Sequence, residues 1–158
     1  MARDTSDSNP VNIGSPGSGI IVFDGVCILC ERSVGFIINR DPDRIFRFIP
    51  FQDSKASDLL DSLGGGLPVN FNHEQPDSFI LILNNTVYLK SDAWIVILRH
   101  LRGYSVISRL LSAIPRPIRD WGYELIGRNR FRWFGSRTTC LVPTSDIRSR
   151  FIMDSDLQ

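Results

Sequence analysis

Short apolar runs alternate with stretches of helical periodicity in the first part of the chain, and this pattern predicts a mixed α/β domain. Residues 20–23 form a β-branched apolar run closed by an Asp-Gly pair, which is typical of a buried strand followed by a tight turn. Apolar residues then recur at helical spacing over residues 28–39, and residues 45–51 alternate as a second strand does. The sequence therefore predicts β-α-β at short spacing.

The middle of the chain predicts a helix, a β-hairpin and another helix. Leucines at helical spacing indicate a short helix over residues 54–63. Residues 78–83 and 86–89 predict two strands joined by a pair of asparagines, which tolerate the left-handed backbone of a two-residue turn. We expect the next helix to start near Ser91, a natural N-cap, and to stop at Gly103.

The following stretch predicts a helical extension rather than a second domain. Residues 104–134 carry apolar residues at helical spacing, and we expect short helices that break at Pro115, Pro117 and Gly127. The complete order is β-α-β-α-β-β-α with a helical C-terminal extension, which places the chain in the α/β class.

Length and composition fit one globular domain. The 158 residues are 42% hydrophobic and 22% charged, close to the averages for globular proteins, which excludes disordered, collagenous and multi-span membrane chains. We expect the domain to cover residues 20–143, between a disordered tail at residues 1–19 and a C-terminal tail at residues 144–158. The N-terminal tail has no apolar core and does not resemble a secretory signal. Three cysteines, an odd number, fit a reducing cytoplasm better than a secreted disulfide framework.

Charge is distributed unevenly along the chain. The first 98 residues hold seven basic and twelve acidic side chains, whereas residues 99–137 hold nine arginines and two acidic side chains. Aromatic residues interleave with arginines over residues 128–137, a pattern seen on membrane-surface and nucleic-acid-binding segments. We favour a packed C-terminal segment and expect no nucleic-acid partner, because no nucleic-acid-binding motif is present and arginines commonly lie over aromatic rings. No apolar run is long enough for a transmembrane helix; peripheral contact with a membrane and the oligomeric state stay open.

One pair of cysteines carries the chemical signal of the sequence. Cys27 and Cys30 follow the first strand and open the first helix, where free backbone N–H groups and the helix dipole favour a thiolate. A free thiol has a pKa of about 8.5, and pairs at helix N-termini fall to roughly 3.5–7.5. Their spacing puts both sulfurs on one helix face, within reach of a disulfide. We therefore predict thiol-disulfide exchange on a protein or small-molecule substrate, with Cys27 attacking, Cys30 resolving, and neither cofactor nor metal required.

Asp24 is a further candidate, three residues before Cys27. It could exchange a proton with Cys30 through water. The alternative is a turn residue, because a carboxylate before glycine more often accepts local N–H bonds.

Two alternatives to redox chemistry stay open. A zinc site would need Cys27, Cys30 and Cys140 together with His73 or His100, yet the chain has no second CxxC and no Cys-His pair at zinc-finger spacing. The other alternative is a redox-inactive interaction module that keeps the two cysteines as buried structural thiols.

The segment from Phe23 to Cys30 closely resembles the DCC family of predicted thiol-disulfide oxidoreductases, named for its Asp, Cys and Cys. The resemblance extends over about residues 20–143 and implies a thioredoxin-like fold with the redox role on Cys27 and Cys30. Further positions that match are residues 48–52, 77–78, 90–93, 114–115, 119–120, 123, 129–131, 134–135 and 143.

The resemblance also points to two positions later in the chain. Thioredoxin-like proteins carry a cis-proline before the third strand, facing the cysteine pair, where an extended substrate pairs with the backbone. Pro76 is the candidate. Cys140 matches the C-terminal cysteine of the family, which either forms a regulatory disulfide or is a buried small side chain. The family does not specify a substrate.

Overall fold

The computed structural model describes residues 17–63, 79–136, 138, 145 and 147–152. Within them the chain forms four strands, five α-helices and one 3-10 turn. In chain order these are β1 (Gly19–Phe23), α1 (Ile28–Arg40), β2 (Phe46–Pro50), α2 (Ser54–Ser62), β3 (Ile80–Leu83), β4 (Thr86–Leu89), α3 (Lys90–His100), α4 (Ser105–Ala113), α5 (Arg116–Phe134) and the 3-10 turn (Arg148–Arg150).

The four strands form one mixed sheet in the order β2-β1-β3-β4. β1 is parallel to β2 and antiparallel to β3, and β3 and β4 form the expected antiparallel hairpin. The two asparagines of its turn have φ values of 50° and 59°, the left-handed conformation that the sequence predicts. The parallel β1-α1-β2 unit and the β3-β4 hairpin confirm a thioredoxin-like α/β fold, with α4 and α5 as the helical extension.

The central strand β1 divides the core into two layers, because side chains alternate between the faces of a strand. Ile21 and Phe23 contribute to the layer that contains α1 and α3, whereas Ile20 and Val22 contribute to the layer that contains α2. All five residues of β1 are buried. The first layer also includes both cysteines, so the loop after β1 brings the candidate site into the core.

Helix α3 begins differently from the expectation. Its N-cap is Leu89, which supplies no side-chain hydrogen bond, and the helix starts at Lys90. The predicted cap Ser91 is wrong, since this residue lies buried inside the first turn and its hydroxyl donates to Asp120 of α5. A tertiary hydrogen bond therefore replaces the local cap.

The extension contains one long helix where the sequence predicts several short ones. Pro115 separates α4 from α5, as expected, but the predicted breaks at Pro117 and Gly127 are wrong. Pro117 lies in the first turn of α5, where its missing N–H has no helical acceptor to lose. One interior glycine costs about 1 kcal/mol, and α5 is held by tertiary contacts such as the hydrogen bond from the Phe79 N–H to the Tyr123 hydroxyl.

The aromatic end of α5 is more exposed than the expected packed segment. Phe131, Trp133 and Phe134 are 43%, 55% and 38% exposed. The guanidinium of Arg130 nevertheless lies 4.7 Å from the centre of the Phe131 ring, the kind of arginine-aromatic contact that the sequence predicts. No helix in the described part of the chain is long and apolar enough to cross a membrane.

Residues 148–152 pack against β2, although the sequence places them in a tail. Phe151 is fully buried, and the Ile152 N–H donates to the Phe48 carbonyl. Arg150 forms a buried ion pair with Asp41, 109 residues earlier in the chain. The sequence does not predict this packing because the residues that Arg150 and Ile152 contact, Asp41 and Phe48, lie more than 100 residues earlier in the chain.

Candidate redox site

Cys27 forms the N-cap of α1. Its backbone is extended, with φ −85° and ψ 118°, and its Sγ accepts a hydrogen bond from the Cys30 N–H at 3.4 Å. Its carbonyl accepts from the Glu31 N–H, the first intrahelical bond. Both thiols are free, and the two cysteines are 1% and 7% exposed. The sulfur of Cys27 therefore takes the place of a capping oxygen at the positive end of the helix.

The pKa values of the two thiols shift in opposite directions. The hydrogen bond with the Cys30 side chain, together with the Cys30 N–H and the charge of Arg130, lowers the pKa of Cys27 to about 6 in spite of burial. The same hydrogen bond and burial raise the pKa of Cys30, which holds its proton. A thiol with a pKa of about 6 is about nine-tenths thiolate at pH 7, so Cys27 is the more nucleophilic sulfur.

Asp24 is both a turn residue and half of a buried ion pair. Its Oδ2 lies 3.3 Å from Arg130 Nη2, and the two side chains are 10% and 9% exposed. Its Oδ1 accepts from the Val26 N–H at 3.1 Å and from Gln52 Nε2 at 2.8 Å. Gln52 Oε1 in turn accepts from the Gly25 N–H. These contacts fix the turn that leads from β1 to Cys27.

Arg130 is a charged residue of the site that no sequence motif singles out. It appears in the sequence only within a matching segment and an arginine-aromatic stretch, whereas its ion-pair partner lies 106 residues earlier. Its charge lowers the pKa of Cys27, and its Nε is buried with no hydrogen-bond partner among the described residues. No local pattern distinguishes this arginine from the exposed Arg128 and Arg132 on the same helix.

Two further elements enclose the cysteines. Ser136, two residues after α5, forms an isolated antiparallel bridge with Cys27 and so covers the backbone of that residue. Tyr123 lies beside Cys30 on the wall of a cavity, and burial raises the pKa of its hydroxyl. The α5 segment therefore closes the site that β1 and α1 build.

The remaining predicted positions do not enter this geometry. Pro76, Cys140 and His73 lie outside the described residues, so the cis-proline and the two alternative roles of Cys140 stay predictions. His100 lies at the end of α3, where its Nδ1 is 2.8 Å from the Val96 carbonyl oxygen. The described part of the chain contains no group of three or more metal-ligating side chains.

The two cysteines lie at the N-terminus of the helix that follows the first strand of a mixed sheet. This arrangement places the chain in the class of thioredoxin-like proteins with a candidate redox pair. The chain belongs to the DCC1-like thiol-disulfide oxidoreductase family, whose sequence profile matches residues 21–136. This range runs from β1 to Ser136 and contains every residue of the site described above.

Two proteins of other organisms are similar in sequence to this chain. The chain is 41% identical over 133 residues to an uncharacterized protein of Bacillus subtilis, YuxK, an alignment that covers 84% of this chain and 93% of YuxK. It is 31% identical over 122 residues to a chloroplastic DCC family protein of Arabidopsis thaliana, covering 77% and 67% of the two chains. No solved structure matched the chain significantly.

Proposed function

We propose that the protein catalyses thiol-disulfide exchange, with Cys27 as the attacking thiolate and Cys30 as the resolving thiol. The observation that carries this proposal is the capping geometry of Cys27, whose sulfur accepts the Cys30 N–H and whose pKa is lowered to about 6. Membership of a thiol-disulfide oxidoreductase family supports the same chemistry.

The exchange proceeds in two steps. The Cys27 thiolate attacks one sulfur of a substrate disulfide, forming a mixed disulfide and releasing a thiolate. Cys30 then loses its proton and attacks the Cys27 sulfur, which releases the second substrate thiolate and leaves the Cys27–Cys30 disulfide. The substrate gains the two electrons that the protein dithiol loses, and the reverse sequence oxidises a substrate dithiol.

Arg130 and Asp24 have unequal parts in this proposal. The Arg130 guanidinium stabilises the Cys27 thiolate through its charge. Asp24 orients Arg130 through their ion pair and fixes the turn before Cys27. Proton exchange between Asp24 and Cys30 through water is a separate hypothesis. Pro76 is proposed as the cis-proline on sequence grounds alone, and the odd cysteine count supports a cytoplasmic location.

Thiol trapping tests the function. In a Cys140→Ser background, the protein is equilibrated across a series of glutathione redox potentials, alkylated and weighed by mass spectrometry. We expect Cys27 and Cys30 to interconvert as a pair between dithiol and disulfide, and Cys27 to be alkylated at least about tenfold faster than Cys30 at pH 7, following their thiolate fractions.

Matched variants separate this function from its alternatives. Cys27→Ser removes the fast-reacting thiol, whereas Cys30→Ser keeps it and traps mixed disulfides. Stoichiometric zinc in the purified protein would instead support a metal site, and a pair that stays reduced at every potential would support the redox-inactive interaction module.

A further inference from the structure

A cavity of about 510 Å³ lies between α1, α3, α4 and α5, and Cys30 forms part of its wall. Cys27 does not line it, but the Cys27 sulfur lies 3.4 Å from the Cys30 nitrogen, directly behind that wall. This volume falls within the range of about 300–1,000 Å³ that is typical of small-molecule sites. Its wall is mainly apolar and includes Leu29, Phe79, Trp94, Leu111, Ile118 and Ile126. The cavity therefore suits a small molecule with a largely apolar body.

The cavity has polar groups where it meets the redox site. Cys30 and Arg130 both line it, and the side chain of Arg130 is 9% exposed. The Nε of this arginine is buried without a hydrogen-bond partner among the described residues. A buried donor left unsatisfied is unfavourable, and an acceptor atom on a bound molecule would satisfy it.

Part of the cavity wall is made of apolar side chains that also reach the surface. Ile114, Ile118 and Ile126 line the cavity and are also 39%, 60% and 45% exposed. Every exposed large hydrophobic side chain of the described chain lies between residues 106 and 134, so this part of the wall lies within the apolar surface of α4 and α5. An apolar molecule thus has a route from the surface to Cys30.

The backbone of Cys27 is already paired within the chain. Extended peptide substrates bind by pairing their backbone with a strand or loop of the receptor. Cys27 is 1% exposed, and its backbone is bridged to Ser136 of the chain itself. The cavity favours a small molecule over an extended peptide because it provides access where backbone pairing is blocked.

We propose that this cavity binds a small apolar disulfide and presents its sulfur atoms to the cysteine pair; the inference rests on the proposed thiol-disulfide function. Cys27 forms a bond to one substrate sulfur while the substrate S–S bond breaks. The departing thiolate takes the proton of Cys30, which lies at the cavity wall. Cys30 then attacks the Cys27 sulfur, and the second substrate thiolate leaves and takes a proton from water. The substrate becomes two thiols, and the protein dithiol becomes a disulfide.

Two small dialkyl disulfides of different polarity test the proposal. The reduced full chain, in the Cys140→Ser background, is mixed with dibutyl disulfide or with bis(2-hydroxyethyl) disulfide. Formation of the protein disulfide is followed by alkylation and mass spectrometry. Each rate is divided by the rate at which the same reagent oxidises dithiothreitol. We expect about a tenfold preference for dibutyl disulfide, from the additional apolar groups buried.

A matched pair of variants assigns that preference to the cavity. Ile126→Glu places a charge on the lining, whereas Leu125→Glu changes a neighbour that is 42% exposed and does not line the cavity. We expect Ile126→Glu to reduce the ratio of the two rates to about one, and Leu125→Glu to keep the wild-type ratio.

The outcomes distinguish this inference from the function on which it rests. If neither disulfide oxidises the cysteine pair, the proposed function fails. If both oxidise it at equal normalised rates, or if the two glutamate variants behave alike, the exchange function stands and the cavity proposal is wrong. A disulfide-bonded peptide that reacts faster than dibutyl disulfide would also overturn it, in favour of a peptide substrate.

Discussion

The described part of the chain contains two buried ion pairs, which are alike in sequence separation and differ in how fully they are hydrogen-bonded. Asp41 with Arg150 and Asp24 with Arg130 each join an acidic side chain of the first third of the chain to an arginine more than 100 residues later. Asp41 also accepts from two backbone N–H groups, and all three Arg150 nitrogens donate, to Asp41 and to the Phe46 carbonyl. Among the described residues, the Arg130–Asp24 pair has one ion-pair contact, at 3.3 Å, and the Nε of Arg130 has no hydrogen-bond partner.

This difference separates a structural pair from a candidate functional pair. A fully hydrogen-bonded buried network holds its groups in one arrangement, whereas an incompletely satisfied one keeps a donor for another partner. Arg150 anchors the 3-10 turn to β2, while Arg130 lies at the cavity wall and lowers the pKa of Cys27. The unsatisfied Nε of Arg130, at the cavity wall, thus indicates a role at the redox site rather than in stabilising the fold.

The largest expected effect on folding comes from Arg150→Met. The change leaves the Asp41 carboxylate, with a side chain 1% exposed, without its charge partner, and removing one member of a buried pair costs about 3–5 kcal/mol. Urea unfolding should show this loss in the free energy of unfolding. Arg148→Met is the matched control because Arg148 is exposed in the same turn. A loss smaller than that of Arg130→Met would contradict the comparison.

Arg130→Met should lower the free energy of unfolding less than Arg150→Met does, and should change the reactivity of Cys27 more. Asp24 keeps its hydrogen bonds from the Val26 N–H and Gln52, so we expect a loss of about 1–3 kcal/mol. Without the guanidinium charge the Cys27 thiolate is less stable, and the pKa of Cys27 rises above its wild-type value of about 6.

The pH dependence of alkylation measures this shift. The rate of reaction with iodoacetamide increases as pH rises through the pKa of Cys27, since only the thiolate reacts. The wild-type midpoint should fall near pH 6, and that of Arg130→Met should lie at higher pH. Arg132→Met, an exposed arginine two residues along α5, should keep the wild-type midpoint. Equal midpoints in all three proteins would remove Arg130 from the site.

The sequence predicts the parts of this site that are local. Cys27 follows a strand and opens a helix, and those two facts are enough to place its sulfur at a helix N-terminus. The hairpin asparagines are equally local, since their conformation depends on the two-residue turn. The sequence does not predict the contacts made by Arg130, Arg150 and Ser91, because the partner of each side chain lies in another element. Neighbouring residues do not show which polar side chain will be buried.

Gln52→Ala should have the smallest effect on stability and on the pKa of Cys27. It tests whether the turn before Cys27 contributes to the Asp24–Arg130 pair. Gln52 joins Asp24 to the Gly25 N–H, but it is exposed, so water can replace both of its hydrogen bonds. We expect a loss of no more than about 1 kcal/mol in urea unfolding. The alkylation midpoint of Cys27 should stay near pH 6, because the charge of Arg130 is unchanged. A midpoint that moves as far as in Arg130→Met would show that the orientation of Asp24, rather than the arginine charge itself, controls the thiolate.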